Sequence, residues 1–89
     1  MQLRASHILV TTKESADDLL RQINEGADFA VLARQNSSCP SGQNGGDLGT
    51  FGPGMMVKPF ADAAEATAIG SVSQPVQTQF GYHLIHRTG

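Results

Sequence analysis

The hydrophobic positions of this chain form two strand-like runs near its ends and helix-like stripes between them. The first run, Leu3 to Val10, and the last, Phe80 to Arg87, have the length and the apolar content of buried strands. Each run contains one histidine, His7 and His83. An imidazole on an inner sheet face needs a hydrogen-bonding partner. If the two runs pair, each histidine is positioned to be that partner for the other.

The pattern between the runs predicts mainly helices. Thr11 is expected to cap a first helix that ends at Gly26, and Asp28 is expected to cap a second that frays near Asn36. Further along, the sequence predicts a glycine-rich loop (37–46), a strand (48–51), a turn at Gly52-Pro53-Gly54, a helix that begins near Pro59 and ends at Gly70, and a short edge strand (71–73).

This order of elements predicts an α+β fold with an antiparallel sheet, because the helices are grouped together rather than alternating with strands. The 89 residues fit one domain (1–89) with one modest core.

Composition narrows the function classes. The net charge is −2, with six Lys and Arg against eight Asp and Glu and no basic stripe, so we expect no nucleic-acid partner. No apolar run approaches the ~20 residues that span a bilayer, so we expect no membrane insertion. The first residues lack a charged-then-apolar signal pattern, which makes the cytoplasm the expected location. The single Cys39 has no internal disulfide partner.

Polar candidates for chemistry are His7, His83 and Cys39. The two histidines sit in matched settings, which favours a shared role, although a strand histidine is commonly structural. Cys39 lies between Ser38 and Pro40 in a polar loop rather than in an apolar stripe. A Cys–His nucleophile pair and a zinc site of these three residues both have suitable side chains, but neither matches a known spacing.

Apolar candidates lie after the glycine-rich turn. Met56 and Phe60 are four residues apart, which puts them on one side of a helix start. Ordinary core packing explains this pair as well as a binding groove does, although methionine adapts its shape to ligands.

Four motifs in register make the chain resemble the parvulin family of peptidyl-prolyl isomerases over essentially its whole length. The motifs are Ser6-His7-Ile8-Leu9-Val10, Gly45-Gly46-Asp47-Leu48-Gly49-x-Phe51, Met56-Val57-Lys58-Pro59-Phe60 and Phe80-Gly81-Tyr82-His83-Leu84-Ile85. The chain looks like a minimal, stand-alone bacterial or archaeal parvulin.

The resemblance implies a four-stranded antiparallel sheet surrounded by three to four helices, an architecture similar to FKBP. It also implies a proline pocket of Leu48, Met56 and Phe60, with Phe51 near the rim. Beneath the peptide bond it implies a polar floor, formed by His7, Cys39, Thr78 and His83. Some relatives carry aspartate at the position of Cys39, so the pattern requires no thiol nucleophile.

The implied activity is cis/trans isomerisation of X-Pro bonds in unfolded or flexible protein segments, by a monomer without cofactor or metal. Phosphate-directed relatives carry a basic cluster after the first strand, where this chain has only Thr11-Thr12-Lys13. We therefore expect no phosphate preference. The alternative is a proline-binding or chaperone-like module with little turnover, which the same pocket would serve.

Overall fold

A computed structural model describes residues 2–52 and 54–89, so Pro53 of the predicted turn lies outside the described residues. Within them the chain forms four strands, three α-helices and a short 3-10 helix. In chain order these are β1 (Leu3–Val10), α1 (Lys13–Asn24), α2 (Phe29–Asn36), the 3-10 helix (Pro40–Asn44), β2 (Asp47–Phe51), α3 (Lys58–Ala66), β3 (Val76–Thr78) and β4 (Gly81–Arg87). The predicted α+β class is confirmed.

The strands form one antiparallel sheet in the order β2-β1-β4-β3. The two runs that carry the histidines are therefore the central pair, which meets the condition under which the sequence predicted contact between the histidines. In their register Ile8 lies opposite Leu84, and His7 lies opposite Ile85. Because side chains alternate between faces, both histidines lie on one face of the sheet and the pair Ile8 and Leu84 lies on the other.

Each face of the sheet has its own core. We call the side covered by α1 and α2 the helix-pair face; its buried residues are Ile8, Val10, Ala16, Leu19, Leu20, Phe29, Leu32, Ala33 and Leu84. We call the side covered by α3 the histidine face; its buried apolar residues are Leu3, Ala5, Phe51, Phe60, Ala64 and Ile85. In the described part of the chain, no helix has the length and apolar content needed to cross a membrane.

Both predicted helix caps were tested by the structure. Asp28 caps α2 as predicted, since its side chain accepts from the amide of Ala30 at 2.9 Å. The cap of α1 is Thr12 rather than Thr11, because the hydroxyl of Thr12 accepts from the amide of Ser15 at 3.1 Å. The prediction for α1 was therefore wrong by one residue.

The segment after α3 differs from the prediction. The helix ends at Ala66 rather than at Gly70, whose amide instead donates to the carbonyl of Arg87 at 2.7 Å. The predicted edge strand 71–73 is only an isolated bridge between Val72 and His86. The real edge strand is β3, which pairs with β4 through a tight hairpin in which Thr78 lies opposite Gly81. This hairpin brings Thr78 beside His83.

Candidate active site

The two histidines form one buried polar unit at the centre of the histidine face. Their Nδ1 atoms are 2.9 Å apart, and the rings are nearly parallel, with an interplanar angle of 17°. His7 is 5% exposed and His83 is 4% exposed. Each is the hydrogen-bonding partner of the other, as the strand pairing predicted.

A hydroxyl group extends the pair at each end. The Nε2 atom of His7 lies 3.2 Å from Ser41 Oγ, and the Nε2 atom of His83 lies 2.8 Å from Thr78 Oγ1. Thr78 Oγ1 also accepts from the amide of Phe80 at 3.1 Å. The result is a continuous hydrogen-bonded chain from the loop before β2 to the hairpin before β4.

A neutral pair can hold its protons in two arrangements, because only one Nδ1 can donate between the rings. If His7 donates, His83 Nε2–H donates to Thr78, and the hydroxyl hydrogen of Thr78 remains available. If His83 donates, His7 Nε2–H donates to Ser41, and the hydroxyl hydrogen of Ser41 remains available. The free hydroxyl hydrogen can therefore lie at either end of the network, on Thr78 or on Ser41, while the net charge of the network stays the same.

Burial keeps this pair uncharged near neutral pH. Desolvation, with repulsion from His83 as a smaller cause, lowers the pKa of His7 from 6.5 to about 4. Desolvation also lowers the pKa of His83. The floor of the site is thus polar but carries no formal charge at pH 7.

Phe60 joins this polar floor to the apolar part of the site. Its ring meets the rings of His7 and His83 edge-on, at centroid distances of 5.4 and 5.2 Å. Phe51 packs against Phe60 from the other side at 6.0 Å. An edge-to-face arrangement of this kind fixes ring orientations in a packed core.

The loop that carries Cys39 is fixed against β1. The Ser37 hydroxyl accepts from the amides of Leu9 and Cys39 at 3.0 and 3.3 Å, and the Ser38 amide donates to the carbonyl of Leu9 at 2.8 Å. At the other end of the loop, Gly46 accepts from the amide of His7 at 2.9 Å. A Cβ on Gly46 would overlap the His7 carbonyl oxygen, and its φ of +85° also favours glycine.

An open cavity of about 520 Å³, which we call the substrate cavity, lies over the histidine pair. Its volume lies within the roughly 300–1,000 Å³ that is typical of ligand pockets. Its walls are mainly apolar, and its described lining residues include no lysine, arginine or carboxylate. They are His7, Leu9, Ser38, Cys39, Pro40, Leu48, Met55, Met56, Val57, Phe60, Phe80 and His83.

The structure brings most of the sequence-predicted site residues together. Six of them line the substrate cavity: His7, Cys39, Leu48, Met56, Phe60 and His83. Thr78 lies behind His83, which it contacts through the hydrogen bond at 2.8 Å.

Phe51 is not at the rim, where the resemblance placed it. It is 2% exposed, because it lies opposite Leu3 in the sheet and its ring packs inward on Phe60. It therefore supports the wall of the substrate cavity from behind. Its predicted place at the rim is corrected accordingly.

Sequence reasoning missed Ser41, Leu9 and Phe80. A hydroxyl two residues after Cys39 was the available signal for Ser41, but only the 3-10 helix turns it toward His7. Phe80 lines the cavity although it is 59% exposed.

Comparison with known protein families identifies the family of this chain. The family model of the PPIC-type PPIase domain matches residues 1–89. The chain belongs to the PPIC-type peptidyl-prolyl isomerase family. The parvulin resemblance is thereby confirmed across its whole length, together with the expected fold.

Relatives of this PPIC-type domain include long and short proteins. It is 52% identical to the foldase protein PrsA of Geobacillus sp. (strain WCH70), with 98% of this chain and 32% of that protein covered. For PrsA of Bacillus subtilis the identity is 43%, with 98% of this chain and 30% of the relative covered. The chain thus spans just under a third of the length of these curated relatives.

Solved structures of PPIC-type proteins show the same fold. PrsA of Bacillus anthracis superposes with a TM-score of 0.98 at 43% identity, covering 99% of this chain and 41% of that one. NmPin, the parvulin of Nitrosopumilus maritimus, gives a TM-score of 0.89 at 42% identity, covering 99% of this chain and 96% of that one. The domain is thus similar both to a part of larger foldases and to nearly all of a small archaeal parvulin.

The alternatives left open by the sequence were a zinc site and a Cys–His nucleophile. Among residues 2–52 and 54–89, no group of three or more histidine, cysteine or acidic side chains is arranged to hold a metal ion. In the same part of the chain Cys39 forms hydrogen bonds through its backbone, donating to the Ser37 hydroxyl and accepting from the amide of Gly42, and its thiol forms none.

Proposed function

We propose that this chain catalyses cis/trans isomerisation of X-Pro peptide bonds in unfolded or flexible protein segments and so assists folding, without phosphate specificity. The observation that supports this is the substrate cavity itself. An apolar cavity of about 520 Å³ lies directly over a buried, uncharged histidine pair. The apolar cavity suits the pyrrolidine ring of proline, and the polar pair beneath it suits the neighbouring amide, whose polarity changes as the peptide bond rotates.

The reaction requires no atom transfer. Rotation about a peptide C–N bond has a barrier of about 18–20 kcal/mol, because resonance stiffens the bond. Uncatalysed X-Pro isomerisation takes tens to hundreds of seconds. The protein must therefore bind the twisted amide, in which conjugation is lost, better than either planar form.

Each part of the site has a role in this scheme. The side chains of Met56, Leu48 and Phe60 hold the proline ring, which fixes one side of the rotating bond. The apolar walls exclude water, which weakens the solvation that favours the dipolar planar amide. Cys39 faces the carbonyl side of the bond, and His7 and His83 set the polarity of the floor beneath it.

The hydrogen-bond chain gives this floor an adjustable polarity. As the amide twists, charge shifts between its nitrogen and its oxygen. The two proton arrangements place a free hydroxyl hydrogen at either Thr78 or Ser41, so the floor can respond without taking up a proton from solvent. His7 and His83 act here as positioning and electrostatic groups rather than as an acid and a base.

The absence of phosphate preference follows from the charges around the cavity. A phosphate-directed site needs arginine or lysine side chains that pair with the dianion. The described lining of the substrate cavity contains none, and the histidine pair is neutral at pH 7. The link from β1 to α1, where phosphate-directed relatives carry a basic cluster, consists of Thr11 and Thr12 and contains no basic side chain.

A protease-free isomerisation assay tests the proposal. It would use a panel of short X-Pro peptides with acidic and apolar X, followed by NMR exchange between the cis and trans signals. We expect catalysed exchange for several X, with no large gain when a serine before proline is phosphorylated. Binding without catalysed exchange would instead identify a proline-binding module, and a large phosphate gain would refute the specificity.

Three further features stay predictions. We propose that the protein binds proline-containing and unfolded chains, that it is monomeric, and that it acts in the cytoplasm. Its kinship with proteins named foldases supports the first of these. Sedimentation of the purified chain and fractionation of the producing cells would test the other two.

A further inference from the structure

A second cavity adjoins the substrate cavity and is not used by the chemistry described above. This side cavity has a volume of about 350 Å³ and lies between α3 and the edge of the sheet formed by β1 and β2. Its lining residues are Leu3, Phe51, Gly52, Gly54, Met56, Lys58, Ala61, Asp62 and Glu65.

Met56 lines both cavities. One partly buried side chain therefore separates the side cavity from the place where the proline ring is held. An extended polypeptide advances about 3.3 Å per residue. A substrate residue two or three positions from the proline would reach across Met56, a span of roughly 7–10 Å.

The floor of the side cavity is apolar, whereas its rim is charged. Leu3 and Phe51 are buried at the base, and Ala61 leaves room above them because its side chain is a single methyl group. The charged rim comes from one face of α3, where residues three and four apart are neighbours. An occupant therefore needs an apolar stem and a polar end.

The rim has one carboxylate in excess. Lys58 Nζ pairs with Asp62 Oδ2 at 2.9 Å, so these two charges neutralise each other. In the described part of the chain the carboxylate of Glu65 forms no ion pair or hydrogen bond, since the nearby Arg87 guanidinium donates to the backbone carbonyl of Glu65 instead. A long basic side chain matches this pattern, because its methylene stem can cover apolar surface while its cation stays at the rim.

On this basis, which rests on the proposed function, we propose that the side cavity is a second substrate subsite. It takes a lysine or arginine side chain of the polypeptide, two or three residues from the isomerised proline, and Glu65 binds the cation. The subsite makes this domain selective for basic segments around proline. The peptides that bind will show whether the basic residue lies before or after the proline.

The test uses peptides with one central Ala-Pro bond. Each of the positions two and three residues before and after proline is occupied in turn by arginine, by uncharged norleucine or by glutamate. Binding is followed through the amide signals of Phe51, Ala61 and Glu65 in NMR titrations, and turnover is followed by exchange between cis and trans signals.

We expect arginine at one of these positions to bind about threefold more tightly than norleucine, as is usual for an exposed ion pair, with glutamate weakest. Added salt should reduce the difference. Glu65→Gln should abolish it. Glu14→Gln, which removes the same charge from α1, should leave it unchanged and serves as the matched control.

A second variant tests the cavity independently of the charge. Ala61→Phe should fill the space above Phe51, so arginine and norleucine should both lose their shifts at Glu65. Equal binding of all three residues at every position would overturn the inference, and it is the result expected if another part of a longer protein occupies the cavity. Because binding is measured directly, this failure is distinct from an absence of turnover, which would refute the proposed isomerase activity.

Discussion

The two faces of the sheet are built from the same strands but do different work. On the helix-pair face, Ile8 and Leu84 are 0% exposed and belong to an apolar core that includes buried residues of α1 and α2. On the histidine face, the same strands place a buried polar pair beneath an open cavity. One face is therefore a wholly apolar core, whereas the other combines an apolar core with a buried polar pair and an open cavity.

The largest expected effect comes from breaking the helix-pair face. Leu84→Ala should lower the free energy of unfolding by about 2–5 kcal/mol, because it leaves a cavity in a close-packed core. The kcat/KM of the folded fraction should change less than about twofold, since Leu84 lies on the face away from the substrate cavity. Urea unfolding and the exchange assay measure the two quantities. A loss of activity that exceeds the loss of folded protein would mean that the faces are coupled.

Acid should weaken the histidine face selectively. The pKa of His7 is 6.5 when unfolded and about 4 when folded, so between these values the unfolded chain binds a proton that the folded chain does not. The contribution of neutral His7 to the free energy of unfolding is therefore fully present above pH 6.5. It declines as the pH falls toward 4, by about 1.4 kcal/mol per pH unit for His7 alone.

Urea unfolding at several pH values between 7 and 4.5 would measure this decline, and His7→Gln should flatten it. The carboxyl groups whose pKa is lowered, Asp18 and Asp47, keep their stabilising contribution above their ordinary value of 3.8 and lose it only at lower pH. The two effects fall in different pH ranges. A wild-type stability that stays constant from pH 7 to 4.5 would contradict the neutral buried pair.

Removing a wall of the substrate cavity should affect activity more than stability. Met56→Ala should reduce kcat/KM about tenfold, equivalent to about 1.4 kcal/mol of transition-state binding, because the proline ring loses an apolar contact. Its effect on unfolding should be smaller than that of Leu84→Ala, since Met56 is only partly buried. Met55→Ala is the matched control and should have less effect, because Met55 is 66% exposed. Undiminished activity in both Met56→Ala and Phe60→Ala would exclude this cavity as the proline site.

The smallest effect is expected at Cys39. No atom is transferred in the proposed reaction, so Cys39→Asp should retain kcat/KM within about threefold, provided that a polar group still faces the carbonyl. The exchange assay at pH 7 measures this. An inactive Cys39→Asp protein that remains folded would assign the thiol a chemical part of its own.

The predictable parts of the fold share a physical basis. The local signals are strong for three elements. Continuous apolar runs predict β1 and β4, and an N-cap aspartate predicts the start of α2. Strand β3 was missed because it has only three residues, Val76 to Thr78, which are too few for a recognisable pattern. These residues are extended because they pair with the edge of β4. The end of α3 was misplaced because the Arg87 guanidinium donates to the carbonyls of Glu65 and Thr67, at 3.1 Å each, from a distant strand.

The sequence by itself determined the α+β class, the existence of the two histidine strands and the family resemblance, because apolar periodicity and four ordered motifs are local properties. That these strands pair at the centre of the sheet is shown by the structure. The resemblance already placed Thr78 in the polar floor. Only the tertiary structure decided that Ser41 extends the network at its other end, that Phe51 supports the cavity from behind, and that a second cavity adjoins the first across Met56. Those facts depend on how a 3-10 helix, a hairpin and α3 pack against one sheet face. Such packing joins residues far apart in the chain, and no local pattern records it.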